Sequence, residues 1–513
     1  MDNIDYDLRS VQEARNLARL GKIATDQIAD YTNEQINRIL CNMVRVAEEN
    51  AIYLAKMAVE ETGFGKAEDK TYKNHMASTI VYNAIKDMKT IGIISENVAE
   101  KVIDIAEPVG LIMGIVPSTN PTSTAIYKSI IAIKSRNAIV FSPHPAALKC
   151  TMKAISLMND AAVAAGAPAN IISGISTLSI GATNELMKCK EVSMIIATGG
   201  PGMVKAAYSA GKPALGVGAG NSPAYIERTA NVQQAVRNII SSKTFDYGTI
   251  CASEQSIIVE ECNHDQIVAE FKKQGGYFMT PDETTKICAL LFKNGGHSMS
   301  AKFVGRSPQV IATASGISIP EGTKVLIGEQ QDVGDAYPLS YEKLTTVIAF
   351  YTVRDWHEAC GLSIKLLQNG IGHTMSIHTE DKDMVMKFAK KPASRILVNT
   401  GSSQGGTGLS TGLLPAFTLG CGTWGGSSVS ENVSPMHLIN IKRVAYGIKD
   451  CSTLASADPT FNHPELSGSY EVQHDLGCGA TSPASYESKN GYTDKEKLLK
   501  LVNDLVEAMK GAK

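Results

Sequence analysis

The chain has 513 residues and a formal net charge of -2, longer than one hydrophobic core sustains (roughly 250–300 residues) and without the basic stripe that a nucleic acid requires. Its longest apolar runs, such as Val109–Val116, fall far short of the ~20 residues that span a bilayer, and the acidic start Met1–Asp7 lacks the basic-then-apolar layout of a signal peptide. Ten cysteines with no CxxC pair and no metal-ligand spacing point to free thiols and no metal site, so the expectation is a soluble, cytoplasmic, multidomain protein without membrane or nucleic-acid partners.

Residues 8–90 read as helical: Val11, Ala14, Leu17, Ala18 and Ile23, then Ile36, Leu40, Met43, Val44 and Ala47, recur at near-helical spacing. Gly63 suits the left-handed position past a helix end. Between Lys101 and Val116 the pattern turns β-rich on both sides of Pro108-Val109-Gly110, which predicts a hairpin arm or strand pair. From there short apolar runs alternate with helical ones. Strands are expected at Ile112–Val116, Ala138–Phe141, Ile171–Ser173 and Met194–Ala197, with helices at Ser123–Lys134, Ala146–Ala165 and Ile180–Cys189. That rhythm implies βαβ units and a parallel sheet, whose carboxyl edge is where nucleotides bind.

Two glycine-rich turns come next. Thr198-Gly199-Gly200-Pro201-Gly202 lies between a strand and the helix Met203–Ala210, so its amides could face a phosphate, although glycines there also serve plain turn geometry. The second is Gly216–Pro223. A second α/β segment runs from Val232 to about Leu397, with helices at Asp265–Lys273 and Pro281–Phe292 and strands at Thr346–Tyr351 and Met375–His378. Thr400–Gly412 and Leu419–Ser427 read as glycine- and serine-rich loops. Residues 450–493 have the composition of a linker, and Asp494–Met509 places Leu498, Leu501, Val502, Leu505, Val506 and Met509 on one face of an amphipathic helix.

The chemistry centres on Lys243–Gln255. There Cys251 follows the turn at Gly248 and precedes the strand Ser256–Val259. A turn exposes a thiol and a strand fixes its direction, as a nucleophile needs. Free cysteines also serve as small buried hydrophobes, and on these residues alone both readings stand.

Phe245-Asp246-Tyr247-Gly248-Thr249-Ile250-Cys251-Ala252-Ser253-Glu254-Gln255 resembles the active-site segment of CoA-acylating aldehyde dehydrogenases. That group includes the aldehyde half of bifunctional aldehyde/alcohol dehydrogenases and the microcompartment propionaldehyde and acetaldehyde enzymes. The resemblance runs from about residue 10 to residue 447 through Pro117–Thr122, Phe141–Pro145, Thr198–Gly200, Gly216–Asn221, Glu342–Leu344, Gly372–Thr374 and Leu419–Gly426. It implies the α/β aldehyde dehydrogenase fold. A parallel-sheet cofactor domain would span 1–230 and an α/β catalytic domain 231–400, with 401–449 returning to the cofactor domain. A β-hairpin oligomerisation arm from about 101–116 and Asn432–Ala445 would make a homodimer or tetramer.

The resemblance also assigns roles. Cys251 is the nucleophile and Asn120 the side-chain donor to the oxyanion, although Asn-Pro pairs also form turns. Ser118, Thr119, Ser142, His144, Thr198, Gly199, Gly200, Val217, Gly218, Glu342 and His373 form the cofactor-binding set. Glu342 holds the nicotinamide ribose, where its neighbours alone suggest a solvated carboxylate; His144 and His373 are equally open to structural roles. Hydrolytic members activate water with a glutamate in the motif that Gly216–Pro223 replaces, and those eight positions hold no carboxylate. The thioester is then left for a better nucleophile, coenzyme A, and the product is an acyl-CoA. Ser142–Ala146 carries no carboxylate to exclude a 2′-phosphate, so neither NAD nor NADP is excluded; NAD is what the resemblance implies. Short unbranched aldehydes are the family's usual substrates, with functionalised C2–C4 aldehydes open. Residues 494–513 resemble an encapsulation peptide, which implies a bacterial microcompartment shell as partner; packing on its own oligomer is the alternative.

Overall fold

The structure, a computed structural model, describes residues 5–292 and 298–449. The expected linker at 450–493 and amphipathic tail at 494–513 lie outside the described residues. The N-terminal region builds helices Tyr6–Ile28, Asn33–Glu49, Ala51–Thr62 and Ala67–His75, then a π-helical turn Met76–Ile80 that runs into Val81–Ile85. Local chemistry sets their ends. Thr32 accepts the Gln35 amide while the Gln35 side chain answers the Thr32 amide, a capping box. Gly63, at φ 68°, closes Ala51–Thr62 in the left-handed region. The apolar stripe Ile36, Leu40, Met43 and Ala47 is buried, as its spacing predicts.

The strands are β1 (Gly92–Asn97), β2 (Val102–Pro108), β3 (Leu111–Ile115), β4 (Ile139–Ser142), β5 (Ile172–Gly174), β6 (Val192–Thr198) and β7 (Ala214–Val217). Then come β8 (Ser222–Ile226), β9 (Glu254–Glu260), β10 (Gly276–Phe278), β11 (Val325–Glu329), β12 (Val347–Val353), β13 (Gly372–His378), β14 (Ala393–Val398) and β15 (Ile439–Ala445). They form a five-stranded sheet ordered β5-β4-β3-β6-β7 and a seven-stranded sheet ordered β10-β11-β12-β9-β8-β13-β14. All pairs in both are parallel. Strands such as β3, β4 and β7 are buried along their whole length, so they read as unbroken apolar or small-residue runs rather than alternations.

In the five-stranded sheet the chain builds outward from β3 to β5, then returns to the other side of β3 with β6 and β7. The carboxyl ends of β3 and β6 are therefore a topological switch point, where loops diverge and leave a crevice. The helix Pro121–Lys134, buried at every position, backs it. Its Lys128 Nζ donates to the Ile115 carbonyl at 2.6 Å and the Ile196 carbonyl at 2.9 Å, joining the two strand ends.

Three expectations are corrected. The turn Pro108-Val109-Gly110 does not close a hairpin. β2 pairs with β1 and β15 in a three-stranded antiparallel sheet, and β3 enters the parallel sheet. The reason is burial: β3 is wholly buried, whereas β2 is only partly covered, so the two belong to different layers. Second, the glycine-rich turn expected at Gly216–Pro223 is shorter: Gly216 and Val217 end β7 in the five-stranded sheet, and Ser222 and Pro223 begin β8, buried along its length in the seven-stranded sheet, so the chain crosses between the sheets there. Third, the loop Thr400–Gly412 contains a helical turn, Ser402–Gly406, held where Glu254 accepts the Ser402 amide at 2.6 Å. No helix among the described residues is long and apolar enough to cross a membrane.

Candidate active site

A cavity of about 910 Å³ opens at that switch point. It is lined by the loop after β3 with Ser118, Thr119 and Asn120, by Ser142 and His144 after β4, by Thr198, Gly199 and Gly200 after β6, and by Val217 and Gly218 after β7. From the other α/β segment come Cys251 and Glu342. Residues far apart in sequence thus share one wall, because the loops at one sheet's carboxyl edge face the turn that carries Cys251.

His373 is the exception. It sits in β13, fully buried and not on the cavity wall, with Nδ1 paired to the Thr374 hydroxyl at 2.9 Å and Nε2 unpartnered. Burial, helped by Arg395, pushes its pKa down to about 3, so it is neutral. It thus stands apart from the cavity wall on which the other residues expected from the sequence meet. His144 does reach the wall, its Nδ1 accepting the Ala146 amide at 3.1 Å, and desolvation lowers its pKa.

The turn before Cys251 is strained in a specific way. Asp246 (φ 49°), Tyr247 (φ 51°) and Gly248 (φ 76°) succeed one another in the left-handed region, which only glycine enters freely. What holds them is the Asp246 carboxylate. It accepts from Lys70 Nζ at 2.9 Å, the Lys66 amide at 2.8 Å, the Thr249 hydroxyl at 2.7 Å and Lys73 Nζ. Burial works to raise the Asp246 carboxyl, but Lys73 and Lys70 hold it below the usual carboxylate range. Burial likewise lowers the Lys73 ammonium to about 8, against the pull of Asp246. None of this cluster was singled out as functional from sequence: lysines in a short charged helix read as a solvated face, and no local signal marks them as buried.

Cys251 itself is half-buried. Burial, the Glu342 carboxylate and the neighbouring Cys421 push its thiol up to about 12, only partly opposed by the buried Arg395 guanidinium. Arg395 also donates to the Gly420 carbonyl at 2.8 Å, pinning the loop that carries Cys421. Asn120 Nδ2 donates to the Thr249 carbonyl at 3.0 Å, which brings the amide beside the Cys251 turn. Glu342 is the one carboxylate on the cavity wall among the described residues; its Oε1 accepts the Gly220 amide at 3.0 Å. Burial raises the Glu342 carboxyl to about 7 despite the Gly220 amide, Lys243 and Lys343.

The residues present fit a dinucleotide. A β-carbon on Gly200 would meet nothing within 4 Å, and one on Gly199 only Met203 Cβ at 4.0 Å. The backbone at the start of the helix Pro201–Tyr208 is thus bare toward the cavity, and amides so placed favour a pyrophosphate. Among the described residues no group of three His, Cys, Asp or Glu side chains is placed to hold a metal.

The profile of the aldehyde dehydrogenase family matches residues 5–293. The bifunctional aldehyde-alcohol dehydrogenase of Escherichia coli (strain K12) is 47% identical over 443 residues, which cover 85% of this chain and 50% of that protein. The chain thus spans about half the length of the curated relatives it first matches. The crystal structure of an acetylating aldehyde dehydrogenase from Geobacillus thermoglucosidasius superposes with a TM-score of 0.85 at 52% identity, covering 87% of this chain and 99% of that one. The propionaldehyde dehydrogenase of Rhodopseudomonas palustris, solved with bound CoA and an acylated cysteine, gives a TM-score of 0.76 at 28% identity over 84% of this chain and 97% of that one. The shared profile, together with near-complete coverage of solved relatives, means that the chain belongs to the aldehyde dehydrogenase family.

Proposed function

We propose that the protein oxidises a short-chain aldehyde to its acyl-CoA thioester with a nicotinamide dinucleotide and coenzyme A, reversibly. The observation that carries this reading is the segment Gly216–Pro223 against the Cys251 turn. It brings no carboxylate to the reacting sulfur, and at Gly220 it lies so close to the Cys251 carbonyl that no side chain fits.

Cys251, once deprotonated, attacks the aldehyde carbon, and the carbonyl oxygen becomes an alkoxide in a thiohemiacetal. The Asn120 amide and the Cys251 backbone N–H stabilise that charge, each typically by ~3 kcal/mol. Thr198–Gly200 would take the pyrophosphate, Ser118, Thr119, Ser142, His144, Val217 and Gly218 would line the dinucleotide's path, and Glu342 would hold the nicotinamide ribose. The bound nicotinamide supplies a hydride acceptor, which leaves a thioester on Cys251. The CoA thiolate then attacks the thioester carbon, acyl-CoA departs and the Cys251 thiolate returns. The apolar surroundings keep water from competing. The acetylating relative and the relative with bound CoA and an acylated cysteine support this sequence of steps.

A second reading, hydrolysis to a free acid, is favoured by one observation: Glu342, raised to about 7, is a carboxylate near Cys251 that could activate water. Following NADH formation from purified protein and propionaldehyde with and without CoA separates the two. Strict CoA dependence supports acylation; equal rates without CoA favour the hydrolytic reading. A non-catalytic role predicts no NADH at all.

NAD is the proposed dinucleotide, with NADP accepted because no carboxylate follows β4. The three-stranded sheet suits a homodimer or tetramer, since Ile93, Ile441, Val444 and Tyr446 are exposed on or beside it. Residues 494–513 are proposed to dock onto a microcompartment shell. Deleting them should leave activity intact and abolish co-sedimentation with shells; unchanged co-sedimentation removes the idea.

A further inference from the structure

Lys70 and Lys73 lie three apart on the helix Ala67–His75, hence on one face. That face turns inward, and both side chains are buried. Nothing in the reaction above uses them, although they sit between the two segments that would supply donors to the oxyanion.

An ammonium offers three donors and no acceptor. Lys73 commits all three: to Asn120 Oδ1 at 2.6 Å, to the Thr249 hydroxyl at 3.0 Å and to Asp246 Oδ2. With its oxygen claimed, Asn120 must turn its NH2 the other way. There Nδ2 donates to the Thr249 carbonyl at 3.0 Å and to the Thr119 hydroxyl at 3.3 Å, the longer bond being the easier one to exchange for a new acceptor. A flipped amide would set NH2 against an ammonium, donor against donor. It would also present the amide oxygen where negative charge develops. Lys70 braces the same arrangement. Its Nζ donates to the Thr119 carbonyl at 2.8 Å and to Asp246 Oδ2 at 2.9 Å, tying the residue before Asn120 to the strained turn before Cys251.

We propose that Lys73 is a positioning residue that fixes the orientation of the Asn120 amide, so that the NH2 rather than the oxygen is available to the oxyanion formed at Cys251. The inference rests on the acylation reading for what Asn120 does. It goes beyond that reading in assigning to a side chain of the N-terminal helical region the geometry of a donor in the loop after β3.

The test is a double-mutant cycle on the full chain with propionaldehyde, NAD and CoA, using Lys73→Met, Asn120→Ala and the pair. Lys73→Met should lower kcat by about 10- to 100-fold, with the KM for CoA little changed. In the Asn120→Ala background the same substitution should cost less than about 3-fold, because the group it orients is gone. Lys73→Gln, whose NH2 retains two N–H donors, should recover part of the loss. Alkylation of Cys251 by iodoacetamide should stay within about 3-fold of the wild-type rate in all variants, since the thiol is not what Lys73 orients. Multiplicative losses in the cycle would overturn the proposal. So would loss of Cys251 alkylation in Lys73→Met, which would make Lys73 a prop of the turn. Failure of both the Met and Gln variants to fold would likewise assign Lys73 to the fold and overturn it. Wild-type protein without turnover sinks the acylation reading and this inference with it; active wild type with independent effects sinks this inference alone.

Discussion

Gly220 packs against the carbonyl of Cys251 so closely that a β-carbon there would overlap the oxygen and come within 3.4 Å of the His373 ring. The nucleophile's backbone is therefore held from behind by another backbone. Gly220→Ala should displace the Cys251 turn, reducing turnover at least about 100-fold and costing about 1–3 kcal/mol of stability. Gly218, two residues earlier, has nothing within 4 Å of its β-carbon position. Gly218→Ala should keep stability within about 0.5 kcal/mol of wild type. Urea denaturation of both variants, with the CoA-dependent assay, checks the contrast; equal losses would refute it.

The Cys251 thiol, pushed up to about 12 by burial and by Glu342 and Cys421, is protonated in the ligand-free protein at neutral pH. Only the thiolate reacts, and its fraction grows tenfold per pH unit below the pKa. Alkylation of the Cys251 peptide, followed by mass spectrometry, should rise steadily between about pH 7 and 10 without levelling. A plateau near 8 would mean that the thiol is activated before substrate arrives.

Glu342 carries a raised carboxyl, so the folded state holds its proton up to about 7 whereas the unfolded chain releases it near 4.5. The stability contributed by the protonated form is complete below the unfolded value and is lost as pH rises through the folded one. Glu342→Gln mimics the protonated form. It should melt at higher temperature than wild type near pH 8 and converge with it as pH falls below about 4.5. A variant that melts lower at every pH would contradict this.

Asp246 shifts the opposite way, below the usual carboxylate range, under the influence of Lys73 and Lys70. Its contribution is present above the unfolded carboxylate pKa of about 3.9 and lost as pH falls through the lower folded value. Asp246→Asn leaves two buried ammoniums facing each other across a neutral amide, and removing one partner of a buried ion pair costs about 3–5 kcal/mol. Chemical denaturation near neutral pH should show that loss. An unchanged midpoint would mean that water reaches the lysines.

The family, the order of its motifs and the lack of a carboxylate in Gly216–Pro223 were legible in the linear chain. Each is a property of neighbouring residues, as are the helical period of apolar positions in Ile36–Ala47 and the unbroken apolar run of Leu111–Ile115. What was not legible depends on contacts between distant segments. Whether Lys70 and Lys73 face water or Asp246 is decided about 175 positions downstream. Whether Val102–Pro108 pairs with Leu111–Ile115 or with Ile439–Ala445 is decided by which strand the core buries. His373 looks no different from His144 by composition, yet one is sealed in a central strand and the other stands on the cavity wall. Periodicity assigns a residue to a face; only the folded chain decides what that face meets, because hydrogen bonding and burial act through space and carry no record of sequence separation.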